Sequence, residues 1–172
     1  MEFLARFRVA LGWVFAPLVL ILANPSAESI VVGGIVGACG EAIRVWAAGH
    51  LYKSREVTSS GPYRFFAHPL YVGSSIMGAG LALASANLIA AGLIAFYLVV
   101  TLRAAIRGEE AFLRRTFGDQ YDLYRQQRVV NQSRHFSLSQ AIANREYRAA
   151  LGLIAAMLLL ALKATYNGSF GG

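Results

Sequence analysis

The sequence predicts an all-α integral membrane protein, a single domain over residues 1–172 with about five transmembrane helices. Hydrophobic residues make up 56% of the chain and charged residues 15%, whereas soluble domains average about 45–50% apolar and about 25% charged residues. The apolar residues are also collected in segments of roughly 17–25 residues, the length that crosses a bilayer as a helix. The single Cys39 excludes an intramolecular disulfide and a cysteine-based metal cluster, and no metal site is predicted.

Five apolar segments account for the predicted helices, and they lie approximately at 7–23, 30–48, 70–86, 88–105 and 149–166. The first contains Pro17, which membrane helices tolerate when neighbouring groups satisfy the freed carbonyl. No clean small-x-small cleavage site follows this segment, so we expect a retained helix and not a signal peptide. Asn87 and its neighbours alone separate the third and fourth segments, which predicts a tight helical hairpin.

Lysine and arginine are concentrated on one side of the predicted topology, and the net charge is +7. They cluster before the first segment, between the second and third, and between the fourth and fifth, while the other two connections carry none. Because cytoplasmic loops are enriched in these residues, we expect a cytoplasmic N-terminus and an external C-terminus. The composition further favours a prokaryotic inner membrane. Membrane topology therefore explains the excess of lysine and arginine over acidic residues better than nucleic-acid binding does.

Small and charged residues within the second segment predict how it packs. Gly33, Gly37 and Gly40 allow a close approach of another helix, and the first two form a GxxxG pattern. Glu41 and Arg44 lie three residues apart and can pair on one helix face. This pair is interpreted as a structural ion pair or as a functional intramembrane charge.

The one long hydrophilic stretch, residues 107–148, contains a further helix signal. Ser137 with Gln140 fits a capping box that opens a helix at Leu138. We expect this helix to lie on the membrane surface before the chain turns into the fifth segment.

The stretch GPYRFFAHPLYVG, residues 61–73, combines two prolines, a histidine and four aromatic residues at the start of the third segment. Pro69 suits the first turn of a helix, where a missing N–H costs little. We therefore expect His68 at a helix N-terminus, at the cytoplasmic membrane boundary. Taken singly, His68 and Tyr71 also fit interfacial anchors, but an anchor does not need two prolines in a fixed frame.

Three further features lie within or near the predicted boundary, and each has two interpretations. The GAG at 78–80 indicates helix packing or a flat ligand against bare backbone. Glu109 and Glu110 form a solvated surface or bind ribose hydroxyls or an ammonium group. Tyr121 and Tyr124 lie on one helical face, where they pack at the interface or belong to a site.

Together these elements resemble the isoprenylcysteine carboxyl methyltransferase and phospholipid methyltransferase family of membrane enzymes. The resemblance rests on GPYRFFAHPLYVG, the GAG at 78–80 and RGEEAFLRRTFGDQYDLYRQQRV at 107–129, preceded by IRVWAAGHL at 43–51. It defines a family-like core at about 43–130, followed by an additional C-terminal membrane helix at about 149–166. Each motif is weak alone, but their order and spacing are specific.

The resemblance implies S-adenosylmethionine as cofactor and a lipid or small apolar molecule as methyl acceptor. His68 and Arg64 are the candidate catalytic residues. Aromatic rings would hold the sulfonium by cation–π attraction, Arg107 or Arg64 would hold the methionine carboxylate, and the acids would accept hydrogen bonds from the amino group or the ribose. The implied cofactor-binding residues are His68, Pro69, Tyr71, Gly73, Gly78, Gly80, Arg107, Glu109, Glu110, Tyr121 and Tyr124.

The sequence departs from the family pattern at two places. Ala67 stands where the family usually has arginine, with Arg64 close by as a substitute, and VVNQSRHF at 129–136 replaces an Ile-Pro element of the prenylcysteine enzymes. The acceptor atom therefore stays open between a carboxylate oxygen, an amine nitrogen and a thiol sulfur. Two other functions also stay open: a membrane reductase with a nicotinamide cofactor, and a non-catalytic lipid-binding protein of the same fold.

Overall fold

The computed structural model describes residues 2–126 and 133–168, without the side chains of residues 2–10 and of Trp13. This part of the chain forms seven α-helices and one short 3-10 turn, and it contains no strand. The helices are α1 (Glu2–Leu22), α2 (Ala27–Ala48), α3 (Pro69–Ser85), α4 (Leu88–Phe117), α5 (Asp119–Arg125), α6 (Leu138–Ala143) and α7 (Tyr147–Tyr166), and the 3-10 turn is Gly61–Arg64.

The five predicted apolar segments correspond to α1 to α4 and α7, so the all-α membrane fold class is confirmed. Within the described part of the chain, α2, α4 and α7 are long and apolar enough to cross a membrane, while α3 is apolar but has only 17 residues. The bases at positions 6, 8 and 128, which contributed to the predicted orientation, lie outside the described side chains. The orientation stays a prediction.

Helix α4 extends well beyond the apolar segment that predicts it. The segment ends near 105, but the helix continues to Phe117, where Gly118 with a φ of 52° ends it. No proline interrupts residues 106–117, and most of them are good helix formers. The extension places Glu109 and Glu110 on a rigid helix and not on a loop.

The hairpin between α3 and α4 is confirmed. Ala86 ends α3 in a left-handed conformation, with a φ of 44°. Asn87 then caps α4, because its side-chain oxygen accepts a hydrogen bond from Ala90 N at 3.0 Å. Helix α2 begins with a comparable device, a reciprocal capping box between Ser26 and Ser29.

Glycines bring α2 and α3 into backbone contact, as the GxxxG pattern predicts. A Cβ atom at Gly33 would lie 2.6 Å from Ala84 N, and one at Gly40 would lie 2.6 Å from Met77 N. The opposing glycines of α3 are equally close to α2, since a Cβ at Gly80 would lie 2.5 Å from Gly37 N. Real Cβ atoms do not approach that closely, so the contact requires glycine on both helices.

Two polar contacts anchor α7 to the other membrane helices. Near its start, Glu146 Oε1 lies 2.6 Å from Arg44 Nε on α2. Toward its end, Lys163 Nζ donates hydrogen bonds to Leu20 O at 2.7 Å and Ile21 O at 2.6 Å. Those carbonyls end α1 and lack partners within that helix.

The predicted helix at Leu138 is present, but only half of its capping box forms. Ser137 accepts a hydrogen bond from Gln140 N at 3.3 Å. The Gln140 side chain does not return to Ser137 and donates instead to Leu51 O at 2.9 Å. Helix α6 is thereby attached to the loop that follows α2.

Candidate functional site

A cavity of about 480 Å³, here called the polar cavity, lies between the loop after α2, the start of α3, the polar end of α4 and α5. Its lining combines charged, hydroxyl and aromatic side chains with several small ones. The lining residues are Leu51, Lys53, Ser54, Glu56, Val57, Thr58, Tyr63, Ala67, Leu70, Tyr71, Ala104, Ala105, Gly108, Glu109, Phe112, Leu113, Tyr121 and Tyr124.

The spacing of residues along α4 explains why they meet in this cavity. The lining positions of α4 fall at 104–105, 108–109 and 112–113, which is one helix face. The small residues at 104, 105 and 108 leave the open volume. Leu70 and Tyr71 on the first turn of α3 line the opposite side.

His68 bridges the two acids that the sequence singles out. Its Nδ1 lies 3.6 Å from Glu109 Oε2 and its Nε2 lies 3.2 Å from Glu110 Oε1. Arg125 Nη1 approaches the same Glu110 oxygen at 3.2 Å. Of these four residues, Glu109 belongs to the cavity lining. His68 contacts Glu109 directly, Glu110 contacts the other nitrogen of the imidazole, and Arg125 contacts Glu110.

The carboxylates control the protonation of His68. Partial burial lowers the pKa of the imidazole, but hydrogen bonds and charge attraction from Glu109 and Glu110 outweigh burial, and the net pKa lies above its ordinary value. The cluster of His68, Glu109 and Glu110 therefore favours the protonated imidazole. It holds a proton beside the cavity. Burial raises the pKa of Glu109, but the contacts from His68 and Tyr71 outweigh burial and lower the net pKa.

Two buried hydroxyl groups in the lining have no hydrogen-bond partner within the described residues. They are Tyr121 OH and Thr58 Oγ1. Tyr121 as a whole is only 1% exposed. Burial, followed by the nearby charge of Glu110, raises the pKa of Tyr121 to about 12, so its hydroxyl is a neutral donor. A buried group without a partner costs about 1–3 kcal/mol, which a polar ligand in the cavity would recover.

Tyr124 attaches α5 to the turn that precedes α3, beside the polar cavity. Its hydroxyl donates a hydrogen bond to Tyr63 O at 2.8 Å, within the turn Gly61–Arg64. The rings of Tyr121 and Tyr124 lie together, with their centroids 6.2 Å apart. Helix α5 thus forms a wall of the cavity that is tied to the stretch before α3.

The structure brings most of the sequence-predicted site residues together and leaves five apart. His68, Pro69, Tyr71, Glu109, Glu110, Tyr121 and Tyr124 lie in or around the polar cavity. The side chains of Arg64 and Arg107 are exposed and lie outside its lining.

The three glycines predicted to bind the cofactor lie at helix contacts. Gly73 and Gly80 face the α2 backbone, where a Cβ atom added at either position would lie 2.6 Å from a carbonyl oxygen of that helix. Gly78 packs against Leu98 on α4. The assignment of these glycines to the cofactor, like that of the two arginines, stays a prediction.

Sequence reasoning missed the loop after α2, which supplies a large part of the lining. Lys53, Glu56 and Thr58 all line the cavity, yet they belong to an irregular stretch with no helical or strand periodicity. The polar run YKSREVTSS at 52–60 was the available signal. A run of this kind is equally typical of a solvated loop, so only the fold reveals its role.

A second cavity, also of about 480 Å³ and here called the apolar cavity, lies among α1, α3, α4 and α7. Most of its lining is aliphatic or aromatic, and its polar side chains are Arg44, Ser74 and Tyr97. The predicted pair of Glu41 and Arg44 is confirmed, with Arg44 Nε 3.7 Å from Glu41 Oε2. Glu146 on α7 is a third member of this ion cluster.

Comparison with known proteins gives one family and one relative. The family model described as phospholipid methyltransferase matches residues 28–120, more than half of the 172 residues. The match starts earlier and ends earlier than the 43–130 core that the motifs delimit, and residues 127–132, which include the end of that core, lie outside the described residues.

The chain is also similar to the nickel-cobalt-cadmium resistance protein NccN of Alcaligenes xylosoxydans xylosoxydans, with 29% identity over 128 residues. This similarity covers 67% of the chain and 60% of the relative, so the chain spans less than two thirds of that protein's length. Residues 2–126 and 133–168 contain no group of three or more His, Cys, Asp or Glu residues that would hold a metal ion. No solved structure matches the chain.

Proposed function

The chain belongs to the phospholipid methyltransferase family of membrane enzymes, as its motifs predict, and we propose that it transfers a methyl group from S-adenosylmethionine to a lipid or small apolar acceptor. The observation that carries the proposal is the placement of two cavities of similar volume along one groove. One cavity has polar walls and unpartnered hydroxyls, and the other has apolar walls among membrane helices. A polar cofactor and an apolar acceptor would meet where the two spaces adjoin.

The same faces of α3 and α4 line both cavities. On α3 and the residues just before it, positions 67, 70 and 71 line the polar cavity and positions 74, 77, 78 and 81 line the apolar one. On α4, the apolar-cavity positions 94, 97 and 98 are followed by the polar-cavity positions 104, 105 and 108. Because residues three and four apart share a helix face, the cavities lie end to end along the groove between these helices.

The polar cavity has groups that suit S-adenosylmethionine. Glu109 presents a carboxylate for the amino group or the ribose, and the hydroxyls of Thr58 and Tyr121 lack other partners within the described residues. The rings of Tyr71 and Tyr124 are positioned to attract a sulfonium by cation–π interaction. When bound, the cofactor supplies an activated methyl group.

The chain itself contributes alignment, exclusion of water and a place for a proton. An amine or thiol acceptor releases a proton on methylation, and the unprotonated fraction of His68, which contacts Glu109 beside the cavity, is the candidate that accepts it. A carboxylate acceptor releases no proton. We place the polar cavity at the cytoplasmic face, since the connections that build it carry the clustered bases.

Calorimetric titration of the detergent-purified chain tests the proposal. We expect micromolar binding of S-adenosylmethionine and no binding of NADPH. Glu109→Gln should weaken binding by at least about tenfold, because it removes the carboxylate charge from the cavity lining. Asp119→Asn makes the same chemical change at an exposed position and should bind like the wild type.

A second experiment identifies the class of methyl acceptor. The same preparation is given a labelled methyl donor and extracted membrane lipids, and the lipid that becomes labelled is the acceptor. Binding of NADPH alone would replace the proposal with a reductase that uses a nicotinamide cofactor. If neither compound bound in detergent or in lipid discs, a non-catalytic lipid-binding protein would be the better description.

A further inference from the structure

The residues that follow the family match fold back onto the wall of the polar cavity. Residues 134–144, here called the C-terminal strap, contain α6 and lie beyond the matched residues 28–120. Their partner is the loop at residues 49–60, which connects α2 to the turn before α3. The family-like core and the strap therefore build one wall of the cavity together.

Hydrogen bonds from the strap satisfy carbonyl groups at the end of α2 and the start of the loop. The last carbonyls of a helix lack partners within it, so they need donors from elsewhere. The bonds run from Ser137 N to Gly49 O (3.2 Å), from Gln140 Nε2 to Leu51 O (2.9 Å), and from Asn144 Nδ2 to Ala48 O and Leu51 O (both 2.8 Å). The start of the loop is thereby held in one conformation.

A charged contact continues this attachment to the cavity lining. The Arg134 guanidinium pairs with both carboxylate oxygens of Glu56, with Nη2 3.3 Å from Oε2. It also lies over the Tyr52 ring, with Cζ 4.2 Å from the ring centroid. Glu56 lines the polar cavity. A two-point contact of this kind fixes the orientation of a carboxylate as well as its position.

We propose that Glu56 is a further cofactor-binding residue and that Arg134 is a positioning residue, which holds the Glu56 carboxylate for the ribose hydroxyls. This inference rests on the proposed function, because the ligand is S-adenosylmethionine. Arg134 offsets the charge of Glu56, which makes this carboxylate better suited to neutral hydroxyl donors than to a cationic amino group. Each carboxylate oxygen accepts more than one hydrogen bond, and carboxylates are common partners of ribose hydroxyls.

The test is calorimetric binding of two probes to the full chain in detergent: S-adenosylhomocysteine and its 2′,3′-dideoxy analogue. Glu56→Gln should weaken binding of S-adenosylhomocysteine by about tenfold and leave binding of the dideoxy analogue unchanged. Arg134→Gln should weaken the first probe by a smaller factor, and Arg134→Lys should recover part of that loss. Arg148→Gln removes the same charge from an exposed position on α7 and should have no effect.

The outcomes separate this inference from the proposed function. Equal weakening of both probes by Glu56→Gln, or no weakening at all, would overturn the ribose contact while leaving the methyltransferase proposal in place. Failure of the wild type to bind S-adenosylhomocysteine would overturn both. If Arg134→Gln unfolds the chain in a melting experiment, the two-probe comparison on Glu56→Gln still decides the ribose contact.

Discussion

The polar and apolar cavities have the same volume, about 480 Å³, but they are built in different ways. Hydrogen bonds and ion pairs between distant parts of the chain fix the walls of the polar cavity, as at Glu109 and Glu56. Close packing of membrane helices defines the apolar cavity, and Arg44 at its edge is neutralised by acids. Among the described residues, the two linings have no member in common, so we expect a change confined to the lining of one cavity to leave the other intact.

The largest expected effect comes from the glycine contact between α2 and α3, on which both cavities depend. Gly33→Ala would place a Cβ 2.6 Å from Ala84 N, so the helices must separate. We expect a loss of about 1–3 kcal/mol in the free energy of unfolding, together with weaker binding of cofactor and acceptor. Thermal melting in one detergent measures the loss.

Gly34→Ala is the matched control for this prediction. A Cβ at Gly34 meets nothing within 4 Å, so the substitution should be neutral or slightly stabilising. Equal melting temperatures for the Gly33 and Gly34 variants would show that the two helices do not depend on the contact.

An intermediate effect is expected from filling the apolar cavity alone. Ala156 on α7 lines this cavity, and Ala156→Leu should raise the KM for the acceptor by about tenfold, since it occupies space that the apolar chain needs. The Kd for S-adenosylmethionine should not change. Ala155→Leu adds the same side chain at an exposed neighbouring position and should behave like the wild type. Parallel changes in KM and Kd would argue against two separate binding spaces.

The smallest effect concerns the pH dependence of stability. Because the folded-state pKa of His68 is raised by Glu109 and Glu110, its charged contacts stabilise the fold below the unfolded pKa of about 6.5 and are lost as the pH rises through the folded value. The wild type should melt about 2–4 °C above His68→Gln at about pH 6 and lose that advantage by about pH 9. A constant difference across this range would show that the histidine contributes through packing and not through its charge.

The candidate site was predictable where local patterns mark its helices. Pro69 predicts His68 at the start of α3, and the spacing of Tyr121 and Tyr124 predicts a shared helical face.

The helical position of Glu109 and Glu110 did not follow from the sequence, because the apolar segment ends near 105 and α4 continues to Phe117. Which acid lines the cavity did not follow, since Glu109 and Glu110 are neighbours in sequence and point to different sides.

Local signals in the sequence were enough to predict the five apolar helices, the hairpin at Asn87 and the close approach of α2 and α3, because hydrophobic length, capping and missing side chains act locally. Two features emerged only from the folded chain: the loop at 49–60 and the strap at 134–144 build the cavity wall, and Glu146 joins Glu41 and Arg44. These contacts join residues about a hundred positions apart. Their geometry depends on how whole helices pack, which no local pattern in the sequence records.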